Sequence, residues 1–103
     1  MDTADDHRHF ADSVGVISNW RKRGPIYEVP FGALYGKDLK NVIAAGRCIS
    51  TTDAMWDVTR VIPVCAVTGE AAGCAAAMTD DLHTLDVKKL QEKLEKQGVM
   101  IHF

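Results

Sequence analysis

Two arginines stand where a chain could grip an anion. Arg47 follows Gly46 at the end of the apolar run Asn41–Ala45, and Arg60 immediately precedes Val61-Ile62-Pro63-Val64. Proline suits the first turn of an α-helix, where its missing N–H has no partner to lose. A helix opened by Pro63 would present the amides of Val61, Ile62 and Val64 at its positive end. Such amides, with two guanidinium groups nearby, suit a phosphate or an electron-rich ring carbonyl. The same residues could instead form surface ion pairs, Arg47 and Arg60 with Asp53 and Asp57, and spacing alone favours that plainer arrangement.

Other reactive side chains give weaker signals. His7 and His9 lie two apart beside Asp5 and Asp6 and could supply half a metal site. A flexible leader over residues 1–9 is the simpler reading, and no metal site is expected. Cys48 is next to Arg47, which would favour its thiolate. It lacks a base or a second cysteine at redox spacing, so it reads as a small buried residue. Ser18, Ser50 and His83 have no Gly-x-Ser-x-Gly setting, so a hydrolase triad has no support. Trp20 and Trp56 read as core or interface residues and not as stacking platforms.

The elements that would position Arg47 and Arg60 follow from pattern. Val14-Gly-Val-Ile17 suits a short strand or a bend with Gly15 at its crowded point, and Gly24-Pro25 marks a turn. Ile26 to Val29 suits a second strand that Pro30 ends or confines to an edge. Val42 to Ala45 is expected as a buried strand aimed at Arg47. Three possible caps precede Ala54-Met55-Trp56, which predicts a short helix. The Pro63 helix should run to Met78 or Thr79, with Gly69, Gly73 and Ala77 leaving one face nearly bare. Asp86 caps a last helix whose Val87, Leu90 and Leu94 share a face. Leu85 and Leu90 are placed for a hydrophobic staple, and Gly98 for the C-terminal cap, with Val99 folding back onto Leu94. "VMIHF" could add a closing strand.

Composition bounds the function classes. The chain has 103 residues, 47% apolar and 25% charged, which suits one small globular domain, residues 10–103. Twelve basic against fourteen acidic side chains give a net charge of -2, no footprint for nucleic acid or an anionic membrane. Val61–Met78 contains Glu70 and two glycines, so a buried helix is expected and no membrane span. The polar, acidic N-terminus does not read as a signal peptide. Three cysteines without CxxC spacing suit reduced thiols and a cytoplasmic location.

Asn41-Val42, Ala45-Gly46-Arg47, Cys48-Ile49-Ser50, Arg60-Val61-Ile62-Pro63 and Gly69-Glu70-Ala71-Ala72-Gly73 together form an extended pattern. It resembles the C-terminal FAD-binding segment of FAD-dependent oxidoreductases. That flavoprotein superfamily includes glutathione reductase and the flavoprotein subunits of fumarate reductase and succinate dehydrogenase. Tyr27-Glu-Val-Pro-Phe31 resembles the same group's lead-in, and the likeness extends from about Phe10 through the last helix. The implied fold is α/β (α+β as a fragment), part of a Rossmann-like FAD-binding domain. By this resemblance Ala45, Gly46 and Arg47 approach the ribityl and pyrophosphate region of FAD. Arg60, Val61, Ile62, Pro63 and Val64 bring a helix N-terminus to the flavin's pyrimidine carbonyl. Gly69 and Gly73 would pack against the rest of the domain.

The chain departs from the group in having no GxGxxG strand–turn–helix unit, which holds the ADP half of FAD in such enzymes. It is therefore expected to be the C-terminal portion of an oxidoreductase, inactive alone, with FAD bound in the full-length context and weakly or not at all by this chain. Its partners would be FAD and a missing N-terminal FAD-binding and substrate region or a partner chain. The alternative is a binding or assembly module without flavin chemistry, with a homodimer as one form. A small anion-binding protein fits the two arginines but leaves the extended pattern unexplained.

Overall fold

The computed structural model describes residues 1–103. Two strands, β1 (Ser13–Ser18) and β2 (Ile26–Pro30), form an antiparallel hairpin. Three helices follow, α1 (Asp53–Thr59), α2 (Ile62–Met78) and α3 (Val87–Lys96). The class is mixed helix and sheet, as the sequence pattern implies.

Ser18 pairs with Ile26, Ile17 with Tyr27 and Val16 with Glu28, but Ser13 pairs with Pro30. One extra residue in β1 is thus bulged at Val14-Gly15. That irregularity coincides with the closest helix approach, because a Cβ on Gly15 would lie 2.2 Å from Val67 Cγ1 of α2. The expected crowding at Gly15 is therefore real, and its source is the helix. β2 ends at Pro30, where Phe31–Ala33 turns as a short 3-10 segment and buries Phe31, Ala33 and Leu34.

The core joins Val14, Ile17, Tyr27 and Val29 of the hairpin to Met55 and Val58 of α1, Val64, Ala71 and Ala75 of α2, and Leu90 and Leu94 of α3. A leucine as deeply buried as Leu90 or Leu94 is worth about 1.5–3 kcal/mol over its exposed state. Asp86 caps α3 by accepting from the Lys88 amide at 3.0 Å. Its C-terminus closes with Val99 N–H on Leu94 O and Gly98 N–H on Glu95 O, both 3.0 Å, the paired bonds expected of a glycine cap. Gln91, absent from the apolar face read in the sequence, is buried too, and its Nε2 donates to Ala11 O and Ser13 O at 2.9 Å.

Two expected strands do not form. Asn41–Ala45 makes one isolated bridge, Ile43 to Tyr35, and Val42 is 52% exposed. A buried strand needs neighbours on both edges, and the hairpin pairs only with itself. "VMIHF" is also no strand: Ile101 is buried, its carbonyl accepts from Ser13 Oγ, and Met100 is exposed.

Residues 1–9 are docked on the body. Thr52 occupies the cap position of α1, but its hydroxyl donates to Asp2 Oδ1 at 2.8 Å instead of capping the helix. The Thr52 amide reaches Met1 O at 2.9 Å, and the Met1 amino group reaches Ser50 O at 3.0 Å. His7 N–H donates to Ile26 O at 2.8 Å, and Asp6 Oδ1 accepts from the Ile26 amide at 2.9 Å.

Gly15→Val should lower stability by about 1–3 kcal/mol, the range for overpacking, read as a fall in denaturant midpoint. Adding Val67→Ala should recover part of that loss, and strict additivity of the two changes would refute direct contact. The Ile26 amide bond, with a smaller contribution from His7, holds the Asp6 carboxyl below its ordinary 3.8. A depressed carboxylate stabilises docking above that ordinary value and loses its effect as pH falls through the folded-state value. The Ile26 amide resonance should therefore titrate with a midpoint below 3.8, and Asp6→Asn should abolish that titration.

Candidate functional site

The Gly46 turn is built by local bonds and one long-range anchor. Ala44 N–H donates to Leu34 O at 2.6 Å and Ser50 N–H to Ala33 O at 2.9 Å, which fasten both flanks to the turn after β2. Gly46–Cys48 then forms a 3-10 turn with Gly46 at φ 68°. A Cβ there would meet Cys65 Sγ at an ordinary 3.6 Å, so backbone conformation and not crowding calls for glycine. The Gly46 amide donates to Thr68 Oγ1 at 2.8 Å. Thr68 is buried on α2, and its own hydroxyl lies within reach of Val64 O and Cys65 O. The turn is thereby pinned beside the first two turns of α2.

Pro63 falls in the first turn of α2, as expected, and Val61 is the N-cap. Valine has no side-chain acceptor, and the Ile62 and Val64 amides make no hydrogen bond within the chain. The first of the turn's bonds is Cys65 N–H to Val61 O at 3.0 Å. Ile62 is 85% exposed and Pro63 is exposed. An open cleft of about 180 Å³ beside them is lined by Val16, Ile17, Trp20, Val61, Pro63 and Val64.

The two arginines part company. Arg60 Nη2 lies 3.4 Å from Asp57 Oδ1, and its guanidinium sits over the Trp56 ring at 4.6 Å. Asp57 also takes Arg21 at 3.2 Å. The plainer ion-pair arrangement thus holds for Arg60. It fails for Arg47, which is exposed on its turn with no carboxylate in reach, and Asp53 pairs with neither arginine. Ala45 is half-buried and extended just before the turn. Of the eight residues singled out, Gly46 and Val64 share the Thr68 anchor, Val61, Pro63 and Val64 share the cleft, and Arg60 is engaged elsewhere.

Asn41–Ala45 runs between two open grooves. One, of about 430 Å³, is lined by Leu34, Tyr35, Leu39, Val42, Ala44 and Cys48 among others. The second, of about 480 Å³, includes Asn41, Ile43, Ala76, Thr79 and Leu82. Cys48 is exposed and not the small buried residue expected, because its turn lies outside the core. All three cysteines are free. Trp20 and Trp56 are also exposed, each carrying an arginine over its ring, so neither is core. Trp20 Nε1 donates to Asp57 O at 2.8 Å, which docks the hairpin loop on α1. Along α2, the Gly69, Gly73 and Ala77 face meets nothing in the chain.

Sequence pattern missed Thr68, whose only signal is a hydroxyl in an apolar helix. It also missed a polar cluster around Glu28. His7 and His9 do not act together: His7 contacts Asp6, while His9 reaches Glu28 with His102.

Arg47→Ala should leave folding stability within about 0.5 kcal/mol, as for surface changes that break no contact. Thr68→Val should cost about 1–3 kcal/mol by orphaning the Gly46 amide. Paired denaturation curves check both, and a large loss for Arg47→Ala would reveal a structural role for it.

A model of the family described as FAD dependent oxidoreductase matches residues 3–94. Comparison with curated proteins and with solved structures finds no match.

Proposed function

The chain belongs to the FAD dependent oxidoreductase family, and we propose that it is the C-terminal part of the flavin site of such an enzyme. The observation that carries this reading is Arg47. It is an uncompensated cation on a turn that Thr68 holds against the start of α2. An arginine so placed can face the negative charge of the cofactor's pyrophosphate, with Gly46 allowing close backbone approach.

The bound cofactor would supply the two-electron redox chemistry. The chain's own part is electrostatic. The free Ile62 and Val64 amides and the positive end of α2 suit a ring carbonyl that gains negative charge on reduction. Arg60, held by Asp57, would contribute less than Arg47, and Ala45, Val61 and Pro63 would shape the approach. No GxGxxG unit is present in these 103 residues, so the contacts to the ADP half must come from another segment. The isolated chain should then be catalytically inactive.

A second reading, a self-associating or partner-binding module, has its own support. The outer α2 face carries only small side chains apart from Glu70, and Ile62 stands 85% exposed. Sedimentation at increasing protein concentration separates it: a homodimer on this face should be broken by Gly73→Lys, while the flavin reading expects a monomer.

Titration of FAD with the chain, followed by flavin fluorescence, tests the leading proposal. Binding should be weak, with Kd near the millimolar range or about -4 kcal/mol, and Arg47→Ala should weaken it further. Micromolar affinity would contradict the division of the site between segments. In the reading frame ahead of Met1, a strand–GxGxxG–helix unit is expected; without one the module reading gains.

A further inference from the structure

Glu28 is a fully buried carboxylate in β2, and its surroundings are unusual. Its Oε2 accepts from the Phe10 amide at 2.6 Å. Its Oε1 meets two imidazoles, His9 Nδ1 and His102 Nδ1, each at 2.8 Å. No lysine or arginine pairs with it. Burial alone would raise this carboxyl, but the Phe10 amide and the two histidines outweigh it and hold the group below its ordinary value. The three ligand-capable atoms lie within 4.8 Å of one another.

We propose that His9, Glu28 and His102 form a binding site for a first-row divalent cation of the zinc class. Two imidazoles and one carboxylate are a donor set zinc accepts, with the remaining position open to water. Ligand atoms around a tetrahedral zinc at about 2.1 Å stand roughly 3.4 Å apart. The two Nδ1–Oε1 contacts of 2.8 Å need widen by only about 0.6 Å to reach that spacing. Both rings can make that adjustment, since their side chains are 61% and 45% exposed while Glu28 is fixed.

The surroundings suit a metal site in two further respects. The outer carboxylate oxygen is already held by an amide, the kind of support that orients a ligating carboxylate. The His9 ring stacks on Phe103 at 4.4 Å between centroids, which restrains its tilt. On metal binding each ring would carry its proton on Nε2, an atom with no partner in the chain, so Nδ1 is freed to ligate. The cation would also supply countercharge to a carboxylate that has no full-time one. It would clasp the N-terminal segment, β2 and the C-terminus.

The test uses the full chain without an affinity tag, stripped with a chelator and titrated with Co²⁺ as a spectroscopic probe, then with Zn²⁺ in competition. One equivalent should bind with visible d–d absorption, and Zn²⁺ should displace it and raise Tm. His9→Ala and His102→Ala should each weaken binding at least about tenfold, the lower bound for disturbing a ligand's support, while His83→Ala should leave it unchanged. Absence of saturable binding, a thiolate-to-cobalt charge-transfer band, or unchanged affinity in the His9→Ala/His102→Ala double variant would overturn the proposal. If a variant fails to fold, Zn²⁺-induced shifts of the imidazole resonances in the unaltered chain decide it. Shifts at His9 and His102 are expected; shifts confined to His7 or His83 refute the site.

Discussion

Gly15 and Val67 meet so closely that only hydrogen fits between them, and the rest of the molecule depends on that approach. A lone two-stranded hairpin is at best marginally stable in water. This one survives because α2 lies against β1 at the bulge while α3 reaches the same strand at Ser13 through Gln91. The bulge and the glycine belong together: the extra residue bends β1, and the missing side chain lets the helix close on it. Once α2 is seated, Thr68 on its buried face is in place to anchor Gly46. The proposed cofactor turn thus inherits its position from a contact on a different strand.

Polar groups then fix which ends meet. No buried side-chain oxygen or nitrogen lacks a partner, although Ser13, Glu28, Thr59, Thr68 and Gln91 are all buried. Gln91 ties α3 to Ala11 and Ser13, Ser13 reaches Ile101, and Glu28 gathers His9, Phe10 and His102. In a chain too small for a large core, such bonds add less net energy than apolar burial, but leaving any one unmade is costly. They therefore select a single arrangement of the termini.

What could be read from the sequence divides along physical lines. The caps of α3, the proline at the start of α2, the strand at Ile26–Val29 and the crowding at Gly15 are local or nearly so, and pattern exposed them. The buried strand at Val42–Ala45 was misjudged because an apolar run shows a strand's length and not whether neighbours exist to pair with it. The fate of Arg47 and Arg60 was open for a similar reason: Asp57 is near both in sequence, but only the helix places it under Arg60 at i,i+3. His102 and Glu28 are 74 residues apart, and no spacing rule reaches that far. The family itself was legible because its signal runs through several short motifs in order and not through one.

The two faces of α2 bear on what else the fold needs. Val64, Thr68, Ala71, Ala72 and Ala75 face inward, and their burial accounts for that side of the helix. The outer side carries Ala66, Gly69, Glu70, Gly73, Ala76 and Ala77. Each glycine there costs about 1 kcal/mol of helix propensity, and nothing packed against it in this chain offsets the loss. Apart from Glu70 that side offers only small apolar residues, and an apolar helix face normally finds cover. Grooves flank Asn41–Ala45, and the amides of Ile62 and Val64 are free. A helix face of small residues, an extended segment with a single bridge and an unpartnered arginine are all left open in this chain. A flavin domain with a further segment laid against α2 would account for all three at once, whereas an isolated anion site would account only for the arginine.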